Sequence, residues 1–232
     1  MFIFTNKEES KIKYCGVIFD LDGVIVKTDE YHYQAWKELA EREKIPFDRM
    51  VNERLRGVSR MESLEIVLER ACKTYSQEQK RFMASEKNEI YRCLLEELSK
   101  DDILPGVISL LNKLKEQGLK TAIASSSRNA SFIIQKIGIG EWFDTVVDGE
   151  QIINSKPDPE VFQLAAKFLN LPVQHCIVVE DAVAGIDAAV AAGAKAVAVG
   201  PAAGYEKADY AVLDLSYVDI DRFLFRGEKV HE

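Results

Sequence analysis

Two closely spaced acidic pairs, a group of serines and one lysine are the side chains best suited to chemistry in this sequence. Each acidic pair and the serine group directly follow a short apolar run, and the lysine stands in a loop before a helix. Carboxylates that share a site repel one another unless a cation neutralises them, so the pattern predicts a divalent-cation site. The residues concerned are Asp20, Asp22, Ser125, Lys156, Glu180 and Asp181.

The oxygen-rich character of this set favours Mg²⁺ over zinc, because no cluster of histidines and cysteines accompanies it. With such an ion present, Asp20 could attack phosphorus and form an aspartyl-phosphate. Asp22, two residues on, could protonate the leaving oxygen and later deprotonate the acceptor. Lys156 and the Ser125 hydroxyl would hold the oxygens of the phosphoryl group.

Each motif also has an ordinary structural interpretation. The dipeptide Asp22-Gly23 between two apolar runs is also typical of a hairpin turn. Asp181 and Ser127 could each be the N-cap of the helix that follows, and Lys156 could be a solvated loop lysine. The functional hypothesis therefore depends on the convergence of all the motifs at one rim of the fold.

The elements that must position these motifs indicate an α/β fold. Residues 14–19 predict a buried strand, and after residue 106 short apolar strands alternate with helices, which is typical of a parallel sheet covered on both faces. Ligands of such sheets bind at the carboxyl ends of the strands. Helices are predicted at 107–117, 129–137, 159–169 and 182–192, and strands at 119–124, 145–147, 176–179, 196–199 and 210–213.

Between about residues 29 and 100 the pattern changes to amphipathic helices, and Pro46 breaks the chain after the first of them. We therefore predict a Rossmann-like parallel sheet with helices on both faces and an inserted α-helical cap domain. Residues 1–28 and 101–232 would form the discontinuous α/β catalytic core, and residues 29–100 the cap.

The overall composition restricts the classes of partner. The formal net charge of -8 argues against nucleic acid, and no apolar run approaches the roughly 18 residues of a membrane span. An anionic substrate would also be repelled, so a phosphate site must be locally positive or carry a metal. Scattered cysteines and an N-terminus that turns charged at Lys7 lead us to expect a cytoplasmic monomer with a small-molecule substrate.

The order of the motifs resembles that of the haloacid dehalogenase superfamily of phosphotransferases, over about residues 14–200. The matching motifs are Asp-x-Asp-Gly from residue 20, Ser125, Lys-Pro-Asp-Pro from residue 156 and Glu-Asp from residue 180. The resemblance implies that Asp20 is the nucleophile and Asp22 the general acid/base, with Ser125 and Lys156 on the phosphate. It also implies a Mg²⁺ site formed by Asp20, the backbone carbonyl of Asp22, Glu180 and Asp181.

Within that superfamily the chain is similar to the β-phosphoglucomutases, in residues 19–25, 28–36, 55–63 and 124–129. The similarity implies that Thr28 is a hinge residue and that His32 and Lys87 lie in the cap near the acid/base. Lys27 departs from the aspartate expected at the hinge. A packed core histidine is the alternative for His32. Trp36 is interpreted as packing within the cap, with a platform on which the sugar stacks as the alternative.

A mutase needs a second phosphate site, because it must bind a sugar bisphosphate in both orientations. By similarity, Arg60 and Ser63 would contact substrate from the cap, with Ser127 and Asn129 beside the phosphate that is not transferred. Arg128 could join them, since forked guanidinium donors suit phosphate. A solvated helix start is the alternative for Arg60. A helical cap would also exclude water from the aspartyl-phosphate.

The implied activity is Mg²⁺-dependent conversion of β-D-glucose 1-phosphate to glucose 6-phosphate through an aspartyl-phosphate enzyme and β-glucose 1,6-bisphosphate. A sugar-phosphate phosphatase of the same superfamily is the alternative, with water as the acceptor. A phospho-accepting signalling domain would be about half as long and would lack the insert. A catalytically inactive sugar-phosphate sensor would need only part of the site.

Overall fold

The computed structural model describes residues 14–224, and a parallel β-sheet lies at their centre. Its strand order is β3-β2-β1-β4-β5-β6, and every pair of neighbours is parallel. The strands are β1 (Gly16–Phe19), β2 (Lys120–Ala124), β3 (Thr145–Val147), β4 (Cys176–Glu180), β5 (Lys195–Val199) and β6 (Tyr210–Val212).

The register of the three central strands determines where the polar motifs meet. Phe19 at the end of β1 is aligned with Ile123 of β2 and with Val179 of β4. The three strands therefore end at nearly the same level, and the residues that follow them lie at one edge of the sheet. This alignment places Asp20, Ser125 and the pair Glu180 and Asp181 side by side.

Helices cover both faces of the sheet because successive side chains of each strand point to opposite faces. On one face Val17 and Phe19 pack in a cluster with residues of α5 (Val107–Glu116) and α6 (Ala130–Ile137). On the other face Ile18 packs with residues of α7 (Glu160–Phe168) and α8 (Val183–Ala192). A short helix α9 (Ile220–Leu224) follows the last strand.

Four helices are inserted between β1 and α5, and we call them the helical insert. They are α1 (Asp29–Arg42), α2 (Arg49–Glu53), α3 (Arg60–Leu68) and α4 (Gln77–Leu95). Trp36, Leu39 and Leu64 belong to an apolar cluster within the insert, as the helical periodicity predicts. Reciprocal capping boxes at Ser59 and Ser76 fix the starts of α3 and α4.

The predicted fold class and order of elements are confirmed, with element ends displaced by one or two residues. The hairpin interpretation of Asp22-Gly23 is wrong, because β1 pairs only in parallel with β2 and β4. The domain boundaries stay a prediction, and residues 1–13 and 225–232 lie outside the described part of the chain. Across 14–224, the helices are too short or too polar to cross a membrane.

Candidate active site

Lys156 lies fully buried between two carboxylates, which excludes a solvated loop lysine. Its Nζ donates hydrogen bonds to Asp20 Oδ1, to Glu180 Oε1 and, at 3.3 Å, to the carbonyl oxygen of Ala124. Burial raises the pKa of Asp20 to about 8, and Glu180 and Asp22 add to the rise while Lys156 opposes it. The lysine keeps a raised pKa despite its burial, because both carboxylates favour its charged form.

Asp22 receives its hydrogen bonds from the helical insert and the segment that leads into it. Thr28 Oγ1 and, at 3.4 Å, the Tyr91 hydroxyl both donate to Asp22 Oδ1. Thr28 occupies the N-cap position of α1 but makes no capping bond, because its hydroxyl faces Asp22 instead. Burial would raise the pKa of Asp22, yet the contacts with His32 and Thr28 outweigh it and the pKa lies below its ordinary value.

His32 and Lys87 form a pair above Asp22. Lys87 Nζ lies 3.0 Å from His32 Nδ1, and His32 Nε2 lies 3.8 Å from Asp22 Oδ1. If Lys87 donates to Nδ1, the imidazole carries its hydrogen on Nε2 and presents it to Asp22. Burial lowers the pKa of both partners, that of Lys87 to about 7. The His32 ring also stacks on Tyr91, so it has both a packing contact and polar partners.

The segment after β2 forms a chain of short-range hydrogen bonds. Ser125 Oγ accepts from the Ser127 amide at 3.1 Å, and Ser127 Oγ accepts from the Asn129 amide at 3.2 Å. Asn129, not Ser127, is the N-cap residue of α6, so the capping interpretation of Ser127 is wrong. The Asn129 Nδ2 donates to Asn88 Oδ1 of the helical insert at 3.0 Å.

Two arginines line the same cavity, one from the helical insert and one from the segment after β2. Arg60 is the first residue of α3, and Arg128 precedes α6; both line a cavity of about 570 Å³ that also contains Asp20 and Asp22. Among residues 14–224, neither guanidinium has an ion pair or a hydrogen bond. Arg60 is half-buried in the cavity wall, which argues against a solvated helix start, and burial together with the charge of Arg128 lowers its pKa.

The remaining predicted insert residues also border this cavity. Ser63 is buried and lines it, as does Trp36. Trp36 belongs to the apolar cluster of the insert, and Lys87 Nζ lies 4.9 Å from the centre of its ring. Its predicted packing within the insert is confirmed.

Asp181 bonds to the helical insert. Its Oδ2 accepts a hydrogen bond from Arg56 Nη1 at 2.9 Å, and the N-cap of α8 is Ala182, so the capping interpretation of Asp181 is wrong. Burial raises the pKa of Asp181 well above its ordinary value, with added repulsion from Glu180 and Asp20 that Arg56 only partly offsets.

The donor types at this edge fit Mg²⁺. Mg²⁺ takes oxygen ligands and is commonly bound by one or two carboxylates together with waters and substrate phosphate. Asp20, Asp181 and the backbone carbonyl of Asp22 offer such a set. Gly23, at φ +87°, leaves room for it, since a Cβ there would lie 2.2 Å from Asp181 Oδ2.

Glu180, the fourth predicted metal ligand, is bonded to protein donors in this structure, and its role as a ligand stays a prediction. Its Oε1 accepts from Lys156 and its Oε2 accepts from the Ala182 amide at 2.9 Å, so protein donors bind both oxygens. Gly185 permits this position, because a Cβ there would lie 2.0 Å from Glu180 Oε1. Within the described 14–224 range, no three Asp, Glu, His or Cys side chains converge as metal ligands. Glu180 therefore orients Lys156.

The comparisons with known proteins agree with this arrangement of motifs. The family model described as haloacid dehalogenase-like hydrolase matches residues 15–193. The chain belongs to the haloacid dehalogenase-like hydrolase family. Members of this family are generally Mg²⁺-dependent.

Relatives within the haloacid dehalogenase-like family include both mutases and phosphatases. Over 208 residues the chain is 44% identical to β-phosphoglucomutase of Bacillus subtilis, covering 89% of this chain and 92% of that protein. The crystal structure of β-phosphoglucomutase from Clostridium difficile superposes with a TM-score of 0.85 at 42% identity, over 90% of this chain and 94% of that one. A phosphorylated carbohydrates phosphatase of Thermotoga maritima is 33% identical, over 77% of this chain and 81% of that protein.

Three residues at this haloacid dehalogenase-like site were not predicted from the sequence. Tyr91 fits the apolar face of a helix, and only its hydroxyl could have indicated a polar partner. Asn88 gives no signal beyond its position next to Lys87. Arg56 precedes a glycine in a loop, and nothing in the spacing of the sequence indicates that it reaches Asp181.

Proposed function

We propose that this chain is a β-phosphoglucomutase that converts β-D-glucose 1-phosphate to glucose 6-phosphate. The observation that carries the proposal is a single cavity with the Asp20 and Asp22 pair and the two unpaired guanidinium groups of Arg60 and Arg128. A phosphatase needs one phosphate site, whereas a mutase must hold a second phosphate while the first is transferred. The similarity to β-phosphoglucomutase of Bacillus subtilis supports the same substrate.

The first half of the reaction begins with a phosphoryl group on Asp20. The C6 hydroxyl of β-glucose 1-phosphate attacks the phosphorus, and Asp22 takes the hydroxyl proton. The bond between phosphorus and Asp20 breaks, which leaves β-glucose 1,6-bisphosphate and a free carboxylate. Lys156 compensates the charge that returns to Asp20.

The second half uses the same groups after the sugar has turned over. Asp20 attacks the phosphorus on the C1 oxygen, the bond between phosphorus and that oxygen breaks, and Asp22 returns its proton to the oxygen. Glucose 6-phosphate leaves and Asp20 carries the phosphoryl group again. Arg60 and Arg128 would hold whichever phosphate is not transferred, since guanidinium donors bind phosphate without regard to which carbon bears it.

Asp20, Asp181 and the Asp22 carbonyl would hold a Mg²⁺ ion, whose charge favours the ionised form of Asp20 and offsets charge on the transferring phosphoryl group. Lys156 and the Ser125 hydroxyl are placed to bind that group's oxygens. Glu180 holds Lys156 in position through its own hydrogen bond.

Asp22 has to change protonation state in each half of the reaction, and its contacts suit that role. Thr28 and His32 favour the ionised form that accepts the substrate proton. The pair of His32 and Lys87 supplies a nearby donor, because burial brings the pKa of Lys87 to about 7. These neighbours come from the insert and its entry segment, so full acid/base function depends on the insert lying against the sheet.

The helical insert is also held against the sheet by polar contacts around the cavity. Ser126 Oγ donates to the Gly57 carbonyl oxygen at 3.3 Å, and Ser155 Oγ donates to Glu62 Oε2. Closure of this kind excludes water, which would otherwise hydrolyse the aspartyl-phosphate.

The direct test is to incubate the protein with Mg²⁺, β-glucose 1-phosphate and a trace of β-glucose 1,6-bisphosphate, and to measure glucose 6-phosphate and free phosphate together. We expect glucose 6-phosphate to dominate and Asp20→Asn to abolish turnover. Stoichiometric inorganic phosphate would instead support the phosphatase, the activity named for the Thermotoga maritima relative. An active Asp20→Asn variant would contradict the nucleophile assignment.

The second phosphate site is tested by Arg60→Ala, with Arg54→Ala as the matched control because Arg54 pairs with Glu69 on the insert surface. We expect Arg60→Ala to lower mutase turnover on the order of a hundredfold while sparing phosphorylation of Asp20 by a small phosphodonor. Unchanged mutase turnover in that variant would remove Arg60 from the phosphate site.

A further inference from the structure

Five arginines of the helical insert have a carboxylate partner, whereas three of the four arginines that line the cavity have none. In the described part of the chain, Arg60, Arg81 and Arg128 form no ion pair or hydrogen bond, and all three line the cavity. Three of the four described arginines that have neither an ion pair nor a hydrogen bond therefore line one cavity of an otherwise acidic protein, and the fourth, Arg92, lies over the Phe132 ring. The paired arginines of the insert are Arg42, Arg49, Arg54, Arg56 and Arg70.

Arg81 lies at the end of the cavity far from Asp22. Ser85, Asn88 and Tyr91 of the same helix α4 also line the cavity, and their spacing of four, seven and ten residues from Arg81 places all four on one helix face. Tyr91 donates a hydrogen bond to Asp22, and ten residues of helix span about 15 Å. Because Arg81 is exposed, it lies where the cavity meets solvent.

The charges around the cavity indicate what an arginine at position 81 could do. The chain has a formal net charge of -8, and Asp20, Asp22 and Asp181 line the same cavity. A sugar phosphate approaching from solvent is therefore repelled by the protein as a whole, and an unpaired cation at the solvent edge offsets that repulsion before the phosphate reaches Arg60 and Arg128.

We propose that Arg81 is an entry-site residue, which binds the phosphate of the incoming sugar phosphate at the solvent edge of the cavity and speeds its association. The inference rests on the proposed function, since it assigns Arg81 to the same substrate class. About 15 Å of helix separates Arg81 from Tyr91, the α4 residue that contacts Asp22, so Arg81 is placed away from the transferring phosphoryl group. It should therefore affect kcat/KM and not kcat, and its effect should weaken as salt screens exposed charges.

The test measures association of glucose 6-phosphate with the whole protein by stopped-flow fluorescence, using the signal of Trp36, which lines the cavity. Arg81→Ala is compared with Arg81→Lys and with Arg92→Ala, whose side chain lies over the Phe132 ring and does not line the cavity. Each protein is measured at about 20 mM and about 300 mM added salt, which changes the screening length several-fold.

We expect Arg81→Ala to slow association on the order of threefold to tenfold at low salt, with the difference nearly gone at high salt. Arg81→Lys should keep most of the wild-type rate, and Arg92→Ala should match the wild type. Equal rates for Arg81→Ala and Arg92→Ala would overturn the proposal, as would a loss that persists at high salt.

The same measurement separates this inference from the proposed function. If the wild type makes no glucose 6-phosphate from β-glucose 1-phosphate but still binds glucose 6-phosphate in an Arg81-dependent way, the mutase proposal fails and the entry site stands. If mutase turnover is present and the Arg81 variants associate like the wild type, only the entry site fails. Absence of any binding to the wild type contradicts both.

Discussion

Arg56 of the helical insert donates from one atom, Nη1, to Asp181 Oδ2 at 2.9 Å and to Asp29 Oδ1 at 3.0 Å. Its Nη2 donates to the other oxygen of Asp29, and its Nε to Glu53. One guanidinium thus joins the start of α1, the end of α2 and a proposed metal ligand on the sheet. The position of the insert and the orientation of Asp181 are therefore coupled through the Arg56 side chain.

Arg56→Ala should therefore loosen the insert and lower mutase kcat/KM by about tenfold, because closure positions the groups around Asp22. The defect should be greater at low Mg²⁺, where no other cation compensates Asp181. Hydrogen exchange of the 43–59 segment and kinetics at two Mg²⁺ concentrations measure the two effects. Arg54→Ala, which breaks only a surface pair with Glu69, should change neither; identical behaviour of the two variants would contradict the coupling.

Gly23→Ala should weaken Mg²⁺ binding by about tenfold or more, since the added Cβ would lie 2.2 Å from Asp181 Oδ2 and displace that ligand. Gly118→Ala is a matched control, because Gly118 has a similar φ of +70° but nothing within 4 Å of the place where a Cβ would stand. Isothermal titration with Mg²⁺ separates the two variants. Equal Mg²⁺ affinity in both would mean that Asp181 does not bind the ion.

Thr28→Val should shift the acidic limb of the kcat profile to higher pH and lower kcat by about tenfold, because Asp22 loses a hydrogen bond that favours its ionised form. Little stability should be lost, since the Thr28 hydroxyl does not cap α1. Thr121→Val is the matched control. It removes a comparable buried hydroxyl, which donates to the Trp142 carbonyl oxygen and lies outside the cavity. A Thr28→Val profile that coincides with that of Thr121→Val would exclude the role.

Lys87→Met should have a higher free energy of unfolding than the wild type at pH 7. The difference between the two proteins should shrink toward pH 10. Burial lowers the pKa of Lys87 to about 7, so between that pH and about 10.4 the unfolded chain binds more protons here than the folded one. The unfolding free energy of the wild type should then rise with pH, by up to about 1.4 kcal/mol per unit from this group.

Chemical denaturation across this pH range provides the measurement for Lys87→Met. Lys80→Met is the control on the same helix, because Lys80 pairs with Glu65 on the insert surface and its loss should leave the pH slope unchanged. Parallel wild-type and Lys87→Met stability curves would show that Lys87 is not buried in solution.

The sequence predicts the sheet edge well because parallel strands end together. Asp20, Ser125 and Asp181 each directly follow a strand, so their convergence needs only strand order and register. Contacts between the insert and the sheet depend on how two packed bodies dock, which helical periodicity does not encode. The contacts of Arg56 with Asp181 and of the Tyr91 hydroxyl with Asp22 were therefore not predicted from the sequence. The bonds of Glu180 to Lys156 and to the Ala182 amide also depend on the folded chain and follow from no sequence pattern.

The amide of Asn129 has a consequence for which molecules the cavity accepts. Its Nδ2 already donates to Asn88 Oδ1 across the boundary between sheet and insert. The amide nitrogen carries two hydrogens, so the bond to Asn88 fixes the orientation of the side chain and leaves the second hydrogen for a ligand in the cavity that Asn129 lines. A phosphate oxygen, which carries charge, gains more from that preoriented donor than the hydroxyl of an uncharged sugar does.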